Sequence, residues 1–253
     1  MEYPLISLIT IVNNEQKYNE FKANLATQVE VNFELLKINN QNNAFTSARL
    51  AYNSAAEKAH GQLLVFCHPD IRFLDPHALH DIITYLIQLG EKVGVMGIAG
   101  TPFKLTNKNR IILTTIVHGD QQNIVGKKVT TPTEVQTLDE CFFALTKKFW
   151  ENHPFSSAQG WHLYAVEACL VANSFGYKNF VVPAHVWHTS DGKSEDYHYY
   201  LQLKQLIKKY RDVWPRINTT VKMWPTRGIK SKVYVNYWLL NRWVKQLLHI
   251  SIK

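Results

Sequence analysis

The chain has 253 residues and a formal net charge of +8 at pH 7, and 46% of its residues are hydrophobic. It can therefore bury a full core, as one large α/β domain with an appendage or as two small domains. Three scattered cysteines, Cys67, Cys141 and Cys169, form no CxxC pair, which argues against a disulfide framework or a zinc site and favours a reducing compartment.

The excess positive charge lies in the C-terminal part of the chain. From Val213 onward there are eight Lys and Arg residues and no Asp or Glu, while the preceding 212 residues carry 20 basic and 20 acidic residues. This asymmetry predicts an anionic partner for the tail, namely a membrane surface, a nucleic acid or a phosphorylated substrate.

The N-terminal sequence predicts a strand and not a targeting segment. It reads MEYPLISLITIVNN, with an acid at position 2 and only eight apolar-rich residues, 5–12. Other apolar runs are equally short, so no membrane span is predicted. We therefore expect a cytoplasmic protein, with peripheral binding to the inner face of the cell membrane as an alternative.

Predicted strands and helices alternate through the first hundred residues. LISLITIV, NFELLKINN, QLLVFCHPD and KVGVMGIAG read as strands, separated by helices in YNEFKANLATQV, NNAFTSARLAYNSAAEKAHG and DPHALHDIITYLIQLG. The alternation predicts an α/β fold with a mostly parallel central sheet covered by helices on both faces, Rossmann-like in class.

The second half is less regular. Residues 101–137 are polar with short β-like runs, CFFALTKKFW reads as a strand and turn, and NFVVPAHVWH as a last strand. HLYAVEACLVANSFGY and DYHYYLQLKQLIKKYRDVW are predicted helices. The resulting division is a domain of residues 1–215, with halves at 1–100 and 101–215, and a basic, aromatic, amphipathic helical extension at 216–253.

Polar residues follow the predicted strands, where an open parallel sheet binds its ligands. They are Asn13, Glu15, Asn39, the His68-Pro69-Asp70 turn and His188. Aspartate oxygens suit Mg²⁺ or Mn²⁺, and imidazole is acceptable to Mn²⁺. Neither GxGxxG nor GxxxxGK[ST] is present, which disfavours dinucleotide and P-loop sites.

The spacing of Asn53, Gly61, His68 and Asp70 resembles that of family-2-type glycosyltransferases of the A-type fold. In that family the last two positions form an Asp-x-Asp metal motif. Here His68 replaces the first acid and Asp70 alone keeps a carboxylate. Arg49 stands four residues before Asn53, where the family more often has an adjacent Arg-Asn pair.

Further segments resemble a bacterial subgroup of these enzymes with a Trp-His-x-Tyr-x-Val-Asp-x-Cys-Leu sequence and a later His-x-Ser. They are VQTLDECFFALTKKFW, GWHLYAVEACLVANSFGYKNFVV and HTSDGK. The usual catalytic base of the wider family falls on Ala165. The resemblance therefore leaves Glu167, His162, Asp139 and Glu140 as candidate bases, or a protein of weak or no activity.

The resemblance, which covers about residues 5–215, implies a metal-dependent, inverting glycosyltransferase of polysaccharide or glycoconjugate synthesis that uses a nucleotide-diphosphate sugar. Its acceptor would be a glycan, a glycoconjugate or a lipid-linked hydroxyl. The first half of the domain would bind the donor and the second the acceptor.

Implied donor-binding residues are Asn13, Glu15, Asn39, Arg49, Asn53, His68 and Asp70. Implied acceptor-binding residues are Asp139, Glu140, Trp161 and His162. Implied catalytic residues are Glu167, Asp139 and His162, and Asp70 and His188 would hold Mn²⁺ or Mg²⁺.

Each of these residues also has an ordinary structural explanation. Asp70 and His68 are common turn residues, Arg49 and Glu167 can each belong to an ion pair, and Trp161 can be a core residue.

In the tail, Tyr237, Leu240, Val244 and Leu247 form one helical stripe. This stripe predicts a helix in a membrane interface, or one packed on the domain or on a second subunit as a homodimer. The alternative function is a non-catalytic binder of membrane or nucleic acid that keeps the fold; a nucleic-acid partner is disfavoured because the body carries no recognised RNA-binding motif.

Overall fold

The computed structural model of the chain describes residues 3–104, 111–190 and 195–248. Its first half follows the predicted alternation closely. The elements are β1 (Ile6–Val12), α1 (Glu15–Leu25), β2 (Phe33–Asn39), α2 (Ala48–Ala56), β3 (Leu63–Cys67), β4 (Ile71–Phe73), α3 (Ala78–Leu89), β5 (Val93–Gly97) and β6 (Ala99–Thr101).

The second half contains several short strands and four helices in its described part. They are β7 (Leu113–Thr114), β8 (Val117–His118), β9 (Asn123–Ile124), β10 (Thr133–Val135), β11 (Thr137–Leu138), β12 (Phe142–Thr146), α4 (Lys147–Asn152), α5 (Tyr164–Ser174), β13 (Lys178–Val181), β14 (Val186–His188), α6 (Tyr197–Tyr210), β15 (Arg216–Asn218), β16 (Met223–Pro225) and α7 (Gly228–Leu247).

A seven-stranded sheet in the order β10-β13-β5-β12-β3-β1-β2 forms the centre of the described chain. β1, β2, β3, β5 and β13 run in one direction, while β12 and β10 run in the other. The predicted mostly parallel sheet flanked by helices is confirmed. The antiparallel β12, inserted between β3 and β5, was not predicted.

Side chains alternate across the sheet and fill two cores. In β3, Leu63, Val65 and Cys67 pack toward α1 and α3, while Leu64 and Phe66 pack toward α2, α4 and α5. Successive residues of a strand point to opposite faces, so the uninterrupted apolar run of β3 matches its burial on both sides. A third core joins α5, α6, α7 and the β15–β16 hairpin around Trp224.

Gly61 lies just before β3, where the chain passes very close to β1. A Cβ atom at this position would stand 2.4 Å from the backbone nitrogen of Ser7, closer than real contacts allow. The Gly61 N–H donates to Ser7 Oγ at 2.8 Å. A glycine therefore fixes the register in which β3 enters the sheet beside β1, and with it the position of the turn that follows β3.

The residues after 215 are closely joined to the rest of the fold. Gln136 binds the β15–β16 hairpin through Arg216 O and Asn218 N, and α7 packs along α6. Within the described ranges, no helix combines the length and apolar character needed to cross a membrane.

Candidate active site

Two turns meet at one edge of the sheet because β12 is antiparallel to β3. Cys67, the last residue of β3, pairs with Phe142, the first residue of β12. The turn after β3 and the turn before β12 are therefore adjacent, and His68 N donates to Cys141 O at 2.9 Å. This places His68 and Asp70 beside Asp139 and Glu140 at the carboxyl ends of the parallel strands, where α/β sheets bind ligands.

His68, Asp70 and His188 form a cluster that can hold a metal ion, with one ligand atom of each lying within 4.8 Å of the others. β14 pairs with β4, which brings His188 opposite Ile71. Asp70 Oδ1 lies 3.3 Å from His188 Nε2. His68 and Asp70 are far from His188 in the sequence. The sequence predicted that all three residues lie at the strand ends where this sheet binds its ligands.

The cluster holds two buried polar atoms that the described part of the chain does not fully satisfy. Asp70 Oδ1 makes no hydrogen bond and has only the 3.3 Å ion-pair contact with His188 Nε2, and His188 Nδ1 makes no hydrogen bond. Buried polar atoms are normally hydrogen-bonded, so this cluster has capacity for a further ligand. A carboxylate with two imidazoles is a donor set that suits Mn²⁺ better than Mg²⁺, since Mg²⁺ prefers oxygen ligands. The residues present therefore fit a divalent metal.

The charge states of the cluster also fit a cation. Burial lowers the pKa of His68, so its imidazole is neutral at pH 7 and can offer a lone pair. Its Nε2 lies 2.9 Å from the hydroxyl of Tyr164, so Nδ1 is the ring nitrogen that remains for a metal ion. Burial alone would raise the pKa of Asp70, but His188, His68 and Lys17 outweigh it and hold that pKa far below its ordinary value. The site thus presents a permanent carboxylate.

Glu140 lies between this cluster and the start of α5. Its Oε1 accepts a hydrogen bond from Tyr164 N, the first residue of α5, at 2.6 Å. Burial raises the pKa of Glu140 to about 7, and Asp139 adds to the shift against the opposing effects of His162 and Arg49. A carboxyl with a pKa near the working pH is suited to accept a proton.

Asp139 is held differently. One carboxylate oxygen accepts from Cys141 N at 3.1 Å and the other from the hydroxyl of Thr220 at 2.9 Å. Burial raises the pKa of Asp139, but the Cys141 N–H and His188 outweigh that effect, so the pKa is lowered. Because both oxygens are engaged and the carboxylate is weakly basic, Asp139 is a poorer base than Glu140.

His162 lies at the outer rim of the site, next in the chain to Trp161. Trp161 is 38% exposed, and His162 Nε2 lies 3.4 Å from Asp196 Oδ1 at the start of α6. Burial lowers the pKa of His162, but Asp196 and Glu140 outweigh it and raise the pKa. Leu163 adopts a left-handed conformation, φ 64°, which turns the chain from this rim into α5. His162 lies close enough to Glu140 to affect its pKa, and the acceptor roles of Trp161 and His162 stay predictions.

Glu167 lies in a buried ion pair, and none of its contacts seen in the described chain reaches His68, Asp70 or His188. Its Oε2 accepts from Arg49 Nε at 2.8 Å and its Oε1 from Lys209 Nζ at 2.7 Å. Ser156 and Tyr210 also donate to it. Burial raises the pKa of Glu167, but Arg49 and Lys209 outweigh it and hold the pKa below its ordinary value. Both oxygens of Glu167 are engaged in contacts that hold the fold together, and Arg49 is its ion-pair partner. A donor-binding role for Arg49 stays a prediction.

Glu167→Gln is expected to destabilise the fold by about 3 kcal/mol, because it leaves the Arg49 charge buried without a counter-charge. The lowered pKa means that the ion pair stabilises the fold above the ordinary carboxyl pKa and is lost as the pH falls through the folded-state pKa. Urea unfolding at neutral and acid pH measures both effects. Glu57→Gln, at an exposed residue, is the control, and equal stability of the two variants would contradict the assignment.

The remaining predicted donor residues are not joined to the metal cluster by any contact seen in the described chain. Asn53 donates to Phe155 O and accepts from Trp150 Nε1 and Phe155 N, so its amide has a structural role. Glu15 binds Lys37 at the exposed end of β2. Asn39 accepts from Gln41 N, and Asn13 is exposed. The roles of Asn13, Glu15 and Asn39 around a nucleoside stay predictions.

Sequence reasoning did not single out several residues of the site. Tyr164 links His68 to Glu140, and Thr220 fixes Asp139 from the hairpin. Ser190 lies 3.0 Å from His188 Nε2, and Lys17 lies 4.0 Å from Asp70 Oδ2. Tyr164 stands in the segment that carries the resemblance, two residues after His162.

A comparison with known protein families agrees with this geometry. The model of the "Glycosyltransferase like family" matches residues 7–210, which is most of the chain. The chain belongs to this glycosyltransferase family. The predicted family is thus confirmed. In this family member the position of the usual base is Ala165, the second residue of α5, which is fully buried in the core.

Individual relatives are more distant. "ATP synthase subunits region ORF 6" of Fuscovulum blasticum is 25% identical over 161 residues, which cover 61% of this chain and 62% of that protein. The solved mannosyltransferase PcManGT from Pyrobaculum calidifontis, in complex with GDP-Man and Mn²⁺, has a TM-score of 0.54 at 11% identity. That match covers 84% of this glycosyltransferase-family chain and 64% of the other, and it supports the A-type fold.

Proposed function

We propose that the protein is a metal-dependent, inverting glycosyltransferase that transfers a sugar from a nucleotide-diphosphate donor to a hydroxyl group of a glycan, glycoconjugate or lipid-linked acceptor. The observation that supports this best is the cluster of His68, Asp70 and His188, whose ligand atoms lie within 4.8 Å of one another and which Tyr164 connects to Glu140. The GDP-Man and Mn²⁺ of the solved neighbour support the same donor class and ion.

The cation-binding side of the site comprises His68, Asp70 and His188. A divalent ion held by them would stabilise the negative charge of the departing nucleoside diphosphate. Lys17 is half-exposed beside Asp70 and adds a positive charge at the same place. These groups hold the diphosphate at the carboxyl end of β3, with the sugar directed toward the turn before β12.

The acceptor side comprises Glu140, Asp139, His162 and Trp161. Glu140 takes the proton of the attacking hydroxyl as its oxygen forms a bond to the anomeric carbon. The bond from that carbon to the diphosphate oxygen breaks in the same step, and its electron pair leaves with the nucleoside diphosphate. A single in-line displacement inverts the configuration. Trp161 offers an apolar surface to the acceptor sugar, and His162 and Asp139 offer polar contacts.

Thermal unfolding with a panel of UDP, GDP and dTDP, each with and without Mn²⁺, tests donor binding. One nucleotide should raise the melting temperature by about 5 °C at a concentration about 100 times its Kd, and the rise should require Mn²⁺. His60→Gln, at an exposed histidine outside the cluster, should respond like the wild type, and His188→Gln should not respond.

If the protein is instead a non-catalytic binder that keeps the fold, the same experiment should give the opposite result. No nucleotide would stabilise the protein with or without metal, and RNA would bind tightly with strong salt dependence. That pair of results would overturn the proposed function.

A further inference from the structure

Helix α7 has one face that packs on the protein. Ser231, Val235 and Arg242 are buried, and Trp238 stacks on Tyr200 of α6 with ring centroids 5.9 Å apart. Arg242 also lies 3.5 Å from Glu195. These residues recur every three or four positions, so they define one side of the helix, and that side is occupied by α6.

The opposite face of α7 is apolar and exposed. Its six residues also recur every three or four positions and are offset by two residues, about 200°, from the packed face. They are Ile229, Val233, Tyr237, Leu240, Val244 and Leu247, with exposed fractions between 39% and 82%. We call this set the α7 stripe. A continuous exposed apolar surface of this length marks an interaction site.

Positive charge surrounds the α7 stripe. Lys230, Lys232 and Lys245 lie on α7 itself, and residues 213–253 contain no acid. At the N-terminal end of α7, a groove of about 990 Å³ separates it from the end of α6. Five basic residues line this groove with a single acid, Asp212; they are Lys204, Lys208, Arg211, Arg227 and Lys232.

We propose that the α7 stripe docks on an anionic phospholipid bilayer, with the stripe in the interface and lipid phosphates in the basic groove. Apolar and cationic surfaces together are what such a bilayer binds. A second copy of the chain would bring like charges together across the stripe, which opposes a homodimer through this face. A nucleic acid would satisfy the charges but leave the six apolar side chains in water.

The orientation of α7 relative to α6 connects the docked helix to the candidate active site. This inference rests on the proposed function. α7 runs antiparallel to α6, because its start lines the groove beside Arg211 and its Arg242 reaches Glu195. Asp196, next in the chain, contacts His162 at the rim of the site. A docked α7 therefore holds the rim beside the membrane surface, and the acceptor it fits is a lipid-linked one.

Vesicle binding by the full chain tests the docking directly. Sedimentation with vesicles of phosphatidylcholine and phosphatidylglycerol in equal parts should carry the protein down at low salt, and vesicles of phosphatidylcholine alone should bind far less. Val233→Gln with Leu240→Gln should weaken binding at least about tenfold, as should Lys230→Gln with Lys232→Gln. The matched controls, Val29→Gln with Ile87→Gln and Lys22→Gln with Lys58→Gln, alter exposed residues elsewhere and should bind as the wild type does.

A label on the stripe tests its orientation. The three native cysteines are buried, so an environment-sensitive fluorophore on Leu240→Cys reports that site alone. Its emission should shift to the blue with anionic vesicles, and the same label on Ile87→Cys should not shift. No vesicle binding, equal binding to both lipid compositions, or a lipid-free dimer abolished by the Val233 and Leu240 substitutions would each overturn the proposal.

Nucleotide binding separates this proposal from the proposed function. The stripe variants should keep the stabilisation by nucleoside diphosphate with Mn²⁺, since they lie outside the cleft. If vesicles bind but no nucleotide does, the proposed function fails and the docking stands. If nucleotides bind but vesicles do not, only the docking fails.

Discussion

Asp70→Asn is expected to lower sugar transfer at least about a thousandfold, the upper end of what removal of one preorganised electrostatic contact causes. Asp70 is the sole carboxylate of the cation cluster, and its lowered pKa keeps it charged. The amide keeps the shape of the side chain but removes the negative charge, so the cluster would hold a divalent cation more weakly and the departing diphosphate would lose the stabilisation which that cation would supply. Transfer to an acceptor panel, together with Mn²⁺-dependent nucleotide binding, measures the loss.

Asp81→Asn is the matched control, because Asp81 is an exposed acid of α3. It should retain wild-type transfer and nucleotide binding. Circular dichroism and urea unfolding should show that the Asp70 variant is folded. Near-normal transfer by a folded Asp70→Asn protein would remove the basis of the proposed function.

Glu140→Gln should lower kcat by about a thousandfold, within the range for loss of a general base, and leave nucleotide binding intact. Wild-type transfer should rise with pH through about 7, the pKa to which burial raises Glu140, since the base acts when deprotonated. The residual activity of the variant should lack this rise. Glu57→Gln, at an exposed acid, should keep the wild-type pH profile.

Stability gives a second measurement on Glu140. Because its folded-state pKa of about 7 is above the ordinary 4.5, the unfolded chain loses this proton first. The contribution of Glu140 to stability therefore falls as the pH rises from 4.5 to 7, and Glu140→Gln should remove that fall. An unchanged pH profile for both transfer and stability would exclude Glu140 as the base and favour Asp139.

The sequence predicted the parts of the site that follow directly from strand ends. His68 and Asp70 follow β3, and parallel strands present their carboxyl ends at one edge. Asp139 and Glu140 reach the same edge because they precede β12, whose antiparallel insertion was not predicted. The apolar run of β3 and the alternation with helices were enough to locate that edge. The metal cluster is the arrangement that this reasoning anticipates.

Residues on helices were harder to assign. Arg49 and Asn53 are spaced to share one face of α2, but the spacing does not say which neighbour that face meets. In the structure Arg49 meets Glu167 and Asn53 meets the turn at Phe155. These hydrogen-bond partners of Arg49 and Asn53 lie more than 100 positions away in the chain, so the local sequence pattern does not identify them.

The tail shows a similar division. Amphipathic periodicity predicted a helix, and the structure has it at Gly228–Leu247. The packed face agrees with the alternative in which the helix lies on the domain, while membrane binding by the other face stays a prediction. The β15–β16 hairpin was not predicted, because three-residue strands that contain Trp and Pro give no period-2 signal.

The hydrogen bond from Thr220 to Asp139 has a consequence for how far the functional unit extends along the chain. The family match stops at residue 210, yet one wall of the cleft is supplied ten residues later by a hairpin whose Trp224 is fully enclosed. Shortening the protein to its matched portion would strip the support from an acid beside the reacting groups and open a large aromatic cavity. The folded unit that carries the candidate site therefore extends at least to the β15–β16 hairpin, beyond the residues that the family model matches.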